Sequence, residues 1–141
     1  MISGTCIEIR TKKFPVLEGE EDEIVNEGTY GKALCQYLEK KLPGAGLTVP
    51  FFTAEDWGWW IEVKDGEFVL GLQIYANVEE GQNPESYAIM SSVSKERIWS
   101  WKKLRKIDMA HNVVEIMDKI EHILMQDAEI KLVGRTDEFP F

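Results

Sequence analysis

Alternation of apolar and polar positions, which is typical of strands, runs through much of this chain, and two longer segments instead repeat at helical spacing. Helical spacing predicts a first helix that begins at Asn26, because asparagine is a good N-terminal cap, and that stops at Pro43. It predicts a second, longer helix from Asp108 to about Gln126, with a short basic helix or turn before it, capped by Ser94. Alternation predicts strands over residues 3–10, 47–53, 57–64, 67–75, 86–93 and 129–133.

The stretch Glu55-Asp56-Trp57-Gly58-Trp59-Trp60 opens the best-defined of these elements, a hairpin that ends near Tyr75. Asp65-Gly66 favours a two-residue turn, because both central positions of a type I′ turn need positive φ and this pair tolerates it. Side chains alternate across a strand, so this turn places eight apolar residues on one face, which we expect to form the core. These residues are Trp57, Trp59, Ile61, Val63, Phe68, Leu70, Leu72 and Ile74.

The opposite face of the hairpin mixes aromatic and charged side chains, which is unusual for a surface that only packs. Trp60 is expected to lie over the bare backbone of Gly71. Asp56, Glu62 and Tyr75 share this face with Trp60. We therefore take Asp56, Trp60, Glu62 and Tyr75 as the candidate binding residues.

Short connections between the predicted strands favour a mainly antiparallel sheet. The element order predicts an α+β fold, a two-layer sandwich with two amphipathic helices on one face of the sheet. We expect a single domain over residues 1–141, in which 134–141 form a tail whose two phenylalanines dock on the domain or contact a partner. The first and last strands, each next to a helix, are expected to pair.

Charge and cysteine content limit the classes of partner and the cellular location that we expect for this chain. The chain has 16 Lys and Arg against 25 Asp and Glu, a net charge of −9, which argues against nucleic-acid and anionic-membrane partners. Cys6 and Cys35 have no CxxC spacing, and we expect two buried thiols in a reduced compartment, with a disulfide between them as the alternative. With no signal peptide at the N-terminus, the predicted location is the cytoplasm.

Two charged segments allow more than one interpretation. Residues 18–23 hold five acids in six positions, typical of a solvated loop, although a cation site or a contact for a basic partner would also fit. Between Lys95 and Lys106 there are six cations and one anion, with apolar residues between them. This stretch can offset the acidic surface, with lysine stems covering apolar area, or bind an acidic or phosphorylated ligand.

The sequence carries no recognisable catalytic set. His111, Glu115, Asp118 and His122 form one stripe on the last helix, but the stripe lies opposite the apolar face, so we expect solvent-exposed pairs rather than a metal centre. The S-x-x-K match at 92–95 lacks the other motifs of penicillin-recognising enzymes. We therefore predict no metal, no cofactor and no catalytic residue, and an enzyme is the less favoured class.

Two short motifs resemble those of a group of small bacterial proteins without an established activity. They are Asn26-Glu27-Gly28-Thr29-Tyr30-Gly31 at the predicted helix start and Glu55-Asp56-Trp57-Gly58-Trp59 at the start of the hairpin. The resemblance implies a bacterial cytoplasmic protein and supplies no site residues.

The leading functional hypothesis is a non-catalytic binding or regulatory protein that uses the face around Trp60, Tyr75 and Asp56. An inhibitor or immunity-type protein that binds a basic target would suit the acidic composition. The competing hypothesis is a small-ligand-binding protein or enzyme with Asp56, Glu62 and Tyr75 in one pocket. A homodimer that buries its sheet faces or its tails is a third.

Overall fold

The structure, a computed structural model, describes residues 5–78, 82–93, 109–137 and 139–141, with the side chains of 109 and 110 left undescribed. In these ranges the chain forms an α+β fold around a six-stranded sheet in which neighbouring strands are antiparallel. The strands are β1 (Cys6–Arg10), β2 (Thr48–Ala54), β3 (Trp59–Asp65), β4 (Phe68–Asn77), β5 (Ser86–Ser91) and β6 (Lys131–Thr136). The helices are α1 (Glu20–Glu23), α2 (Lys32–Lys41), which continues into a 3₁₀ turn at Leu42–Ala45, and α3 (Met109–Met125).

The strand order is β2-β3-β4-β5-β1-β6. Strands β2 to β5 follow one another as hairpins, and β1 then pairs with both β5 and β6. The first and last strands are therefore neighbours, as the sequence predicted. The predicted basic helix near 95–106 lies outside the described residues.

One face of the sheet holds the core, and we call it the inner face. Alternate residues of the strands point to it, including Ile7 and Ile9 of β1, and they are almost fully buried. Leu34 and Leu38 of α2 lie in the same apolar cluster. The residues that α3 contributes to it are Val113, Ile116, Met117, Ile120 and Leu124.

The register of the central hairpin differs from the predicted one. Trp59 pairs with Ile74 and Asp65 with Phe68, so the turn residues are Gly66 and Glu67 rather than Asp65 and Gly66. Gly66 takes the left-handed φ of 61° that the turn requires. A shift of two residues keeps every side chain on its predicted face.

Trp57 is the exception to that assignment. It precedes β3, in the turn that links β2 to β3, where the Glu55 N–H donates to the Gly58 carbonyl at 2.8 Å. Its ring lies 5.2 Å from that of Tyr75. The prediction that Trp57 belongs to the core face was wrong, because strand alternation does not extend into a turn.

The helix predicted to begin at Asn26 is α2, and it starts later, at Lys32, after a loop over residues 24–31. Asn26 does not cap it. Its side-chain Nδ2 instead donates to the Asp56 carbonyl at 2.6 Å, which ties the loop to the β2–β3 turn. The two motifs on which the family resemblance rests therefore contact each other.

Candidate functional site

Three of the four candidate residues, Trp60, Glu62 and Tyr75, lie on the face of the sheet opposite the core, which we call the outer face. Sheet pairing orders this face in rows that run across the strands. One row joins Tyr75 to Ala88, Ala88 to Glu8 and Glu8 to Gly134. The next row joins Trp60 to Gln73, with Met90, Cys6 and Thr136 following.

Trp60 and Glu62 form one half of the predicted site. The Trp60 ring lies over Gly71, and a Cβ atom added at Gly71 would sit 2.1 Å from the ring. The Trp60 Nε1–H donates to Glu62 Oε2 at 3.0 Å. The ring is therefore held in place by bare backbone below it and by a carboxylate at its edge, as the sequence predicted for Gly71.

Tyr75 belongs to a separate row of four aromatic rings, which we call the aromatic row: Trp57, Tyr75, Phe139 and Phe141. Its ring is 5.2 Å from that of Trp57 and 4.5 Å from that of Phe139, and Phe139 is 5.6 Å from Phe141. Such spacings are typical of favourable ring–ring contacts. The tail after β6 thus folds back onto the outer face, and burial raises the pKa of the Tyr75 hydroxyl.

Asp56 is not brought together with Glu62. It is exposed in the β2–β3 turn, where its carbonyl accepts the Asn26 bond, whereas Glu62 lies within β3. Glu62 is four residues further along the chain than Gly58 at the end of that turn, roughly 13 Å at ~3.3 Å per residue. The two carboxylates therefore do not form an acid–base pair.

A cavity of about 420 Å³ opens on the outer face beside the aromatic row, and we call it the Glu8 cavity. It forms because Glu8 stands between residues with little or no side chain, Ala88 on β5 and Gly134 on β6. The tail closes one side. The lining residues are Glu8, Gly134, Thr136, Asp137, Phe139 and Pro140.

A second cavity, of about 230 Å³, lies at the end of β1, β4 and β5. Its lining is almost entirely polar: Arg10, Asn77, Gln82, Asn83, Glu85 and Ser86. Asn83 already accepts a hydrogen bond from the Val16 N–H at 3.1 Å, so part of this lining fixes the chain segment after β1. Asp56 and Glu62 line neither of these two cavities.

The histidine stripe on α3 forms surface contacts. His111 Nε2 lies 3.6 Å from a Glu115 oxygen, Asp118 pairs with Arg135, and His122 contacts Gln126 at 3.1 Å. Within the described ranges no three His, Cys, Asp or Glu side chains come together in a way that could hold a metal ion. No helix of the described part has both the length and the apolar character needed to cross a membrane.

Sequence analysis missed Glu8 and the position of Phe139. Glu8 is the one acid in the strand Cys6-Ile7-Glu8-Ile9, and its alternation with buried isoleucines could have marked it as an outer-face residue. Its neighbours could not be found this way, because they come from β5 and β6, more than 75 residues along the chain.

No protein-family model matches this chain, and neither the curated proteins nor the solved structures contain a significant match to it. The resemblance to small bacterial proteins therefore stays a prediction.

Proposed function

We propose that this chain is a non-catalytic binding protein whose outer face holds a basic protein partner, in the manner of an inhibitor or immunity-type protein. The observation that carries the proposal is the aromatic row. Phe139 and Phe141 leave 42% and 41% of their surface exposed, although both rings lie in contact with other aromatic rings.

Exposed aromatic surface of this kind fits an interface. Aromatic residues are enriched at the buried centres of protein interfaces, where they provide much of the binding energy. Trp57 and Tyr75 are half-buried and anchored in the sheet and its turn, so the row is ordered before a partner arrives. Ordering in advance lowers the entropy cost of association.

The charge of the chain supports a basic partner. A net charge of −9 favours association with a cationic surface and disfavours an acidic one. The Glu8 cavity places a carboxylate directly beside the aromatic row. Aromatic faces and carboxylates both attract ammonium and guanidinium groups.

The finer architecture belongs to the same proposal. We infer a two-layer sandwich in which α2 and α3 are amphipathic and cover the inner face together. The support is that buried residues of both helices share one cluster with the inner-face strands. In such an arrangement neither α2 nor α3 covers the outer face. The bacterial cytoplasmic setting remains part of the proposal.

The pocket-based alternative, a small-ligand-binding protein or enzyme, has weaker support. It needs Asp56, Glu62 and Tyr75 in one concave site, but neither carboxylate lines the Glu8 cavity or the polar cavity at the end of β1, β4 and β5. The homodimer hypothesis makes a separate prediction, a doubled mass in solution, which size-exclusion chromatography with light scattering would test.

A comparative pull-down tests the proposal. Wild type is compared with the Phe139→Ala, Phe141→Ala double variant, and the Met125→Ala variant is the control, because that exposed side chain is at the end of α3, which packs against the inner face. We expect a basic protein to be retained by wild type and the control and lost by the tail variant. Equal retention by all three would refute a role for the aromatic row.

A further inference from the structure

The Glu8 carboxylate is half-buried on β1, the strand next to the edge strand β6. It stands on the outer face of β1, between the buried Ala88 and the backbone of Gly134. Within the described ranges no side chain forms a hydrogen bond or an ion pair with it. A carboxylate withdrawn from water without a cation loses solvation energy, so a cation that enters the cavity would be bound favourably.

The walls of the Glu8 cavity suit an organic cation. Phe139 and Pro140 form an apolar wall, and the Phe139 ring itself packs at a tilt against that of Tyr75, with the ring centres 4.5 Å apart. An ammonium or guanidinium group beside an aromatic ring gains a cation–π contact, which strengthens when water is excluded. Glu8 supplies the opposite charge at the floor.

The size of the cavity limits the occupant. A volume of about 420 Å³ lies near the lower end of the range for small-ligand pockets, roughly 300–1,000 Å³. This is room for one long side chain and not for a folded segment. The aromatic row continues from the cavity wall to Phe141, so an occupant that belongs to a protein could contact both.

We propose that the Glu8 cavity receives one lysine or arginine side chain of the basic partner, with its charged group at Glu8 and its aliphatic stem against Phe139. This inference rests on the proposed function, since it assigns the pocket in which that partner is anchored. It predicts that Glu8 contributes far more to binding than an acidic residue elsewhere on the surface.

The first test needs no partner. Ethylguanidinium and its neutral analogue ethylurea are titrated into ¹⁵N-labelled protein, and the amide shifts of Gly134 and Thr136 are followed. We expect saturable shifts with ethylguanidinium only, and their loss in Glu8→Gln. Equal responses to the two probes, or an unchanged response in Glu8→Gln, would overturn the proposal.

The second test uses the retained partner and isothermal titration calorimetry. Glu67→Gln is the matched control, because Glu67 is exposed in the β3–β4 turn and its replacement changes the net charge equally. We expect Glu8→Gln to raise Kd about tenfold or more and Glu67→Gln to change it less than about twofold. Thermal melting of each variant confirms that it is folded.

The outcomes separate this inference from the proposed function. If the tail variant loses the partner but Glu8→Gln binds it as wild type does, the outer face is the interface and the cavity assignment is wrong. If ethylguanidinium binds at Glu8 but wild type retains no partner, the proposed function fails, and with it the assignment of the occupant as a protein side chain.

Discussion

Glu20 shows how a single residue can have a role that its neighbours do not share. It lies in the acidic run at 18–23, yet only 1% of its surface is exposed. One carboxylate oxygen accepts the Leu17 N–H at 3.1 Å, and the other accepts the N–H groups of Gly31 and Lys32 at 2.9 and 3.0 Å. Gly31 has no side chain with which to cap α2, so Glu20 caps it from eleven residues away.

Replacing Glu20 by alanine should destabilise the fold. The N–H groups that it satisfies would be left partly buried without an acceptor, and the negative charge near the helix N-terminus would be lost. We expect the free energy of unfolding to fall by about 1–3 kcal/mol. Urea denaturation measures it, with Asp22→Ala, an exposed residue of the same run, as the control.

If Asp22→Ala lowered the free energy of unfolding as much as Glu20→Ala does, the capping role of Glu20 would be wrong. The acidic run at 18–23 would then act only through its summed charge.

Gly71→Ala tests the packing of Trp60. The new Cβ would come within 2.2 Å of two ring atoms, so the indole must leave its position over the strand and give up its bond to Glu62. We expect a loss of about 1–3 kcal/mol and a shifted tryptophan fluorescence maximum. Gly44→Ala is the control, since a Cβ there meets nothing within 4 Å.

A spectrum and an unfolding curve in which Gly71→Ala matches Gly44→Ala would contradict the contact between Trp60 and Gly71.

The sequence predicted individual residues well where their position depends on strand alternation. The Trp60 ring lies over Gly71 as predicted, because both residues are on the same face of one hairpin. The predicted pairing of the two residues was wrong, since Trp60 pairs with Gln73 and its ring reaches the glycine diagonally. Glu8 and Glu20 could not be placed, because their surroundings come from strands and loops far along the chain. Phe139 was expected to dock without a known site, and Tyr75 is where it docks.

At the scale of elements, the sequence predicted which segments are helices and strands better than it predicted where each one begins and ends. The turn at Gly66-Glu67 lies one residue beyond the predicted turn at Asp65-Gly66. Alternation could not distinguish the two turns, because both contain Gly66 and both leave the same side chains on each face of the sheet. The first helix begins at Lys32 rather than after Asn26, because Asn26 bonds to the Asp56 carbonyl instead of to a helix N-terminus. Local capping preferences could not reveal that competing tertiary bond.

A polar cluster joins three elements that the apolar core alone would not fix. Lys13, beyond β1, pairs with Asp127 in the α3–β6 connection, and the Tyr37 hydroxyl of α2 donates to Asp127 at 3.0 Å. The Lys13 ammonium also lies 5.3 Å from the centre of the Tyr37 ring. The bond from Lys13, together with the Glu129 N–H, lowers the pKa of Asp127 from 3.8 to about 2.

This cluster predicts a stability change in acid. A carboxyl whose pKa is lowered on folding contributes its full stability above the unfolded value, near 4, and loses it as pH falls toward 2. The free energy of unfolding of wild type should exceed that of Asp127→Asn by about 1 kcal/mol at pH 6, after allowance for solvent screening. The difference should shrink between pH 4 and pH 2.

Urea denaturation across that pH range measures the difference. If the difference in free energy of unfolding between wild type and Asp127→Asn stayed constant down to pH 2, Asp127 would stabilise the polar cluster through its shape rather than its charge.

For the molecule as a whole, the net charge of −9 predicts how the rate of association with a partner depends on salt. Attraction between an acidic protein and a basic one accelerates their encounter, and salt screens it over about 10 Å at 0.1 M. We expect the association rate constant to fall about tenfold between 20 and 500 mM NaCl, while the dissociation rate changes little. Stopped-flow fluorescence measures both, and a flat association rate would argue against a basic partner.

The place of β1 in the sheet has a consequence for the order of events during synthesis. It is the first strand of the described chain to leave the ribosome, yet its partners are β5, from Ser86, and β6, which ends at Thr136. The hairpins from β2 to β5 can close while β1 waits unpaired, since contacts distant in sequence form late. The carboxylate of Glu8 is thus made early but enclosed last. A ribosome-bound chain that lacks β6 should already bury Trp59 in its apolar core and still be unable to bind a cation.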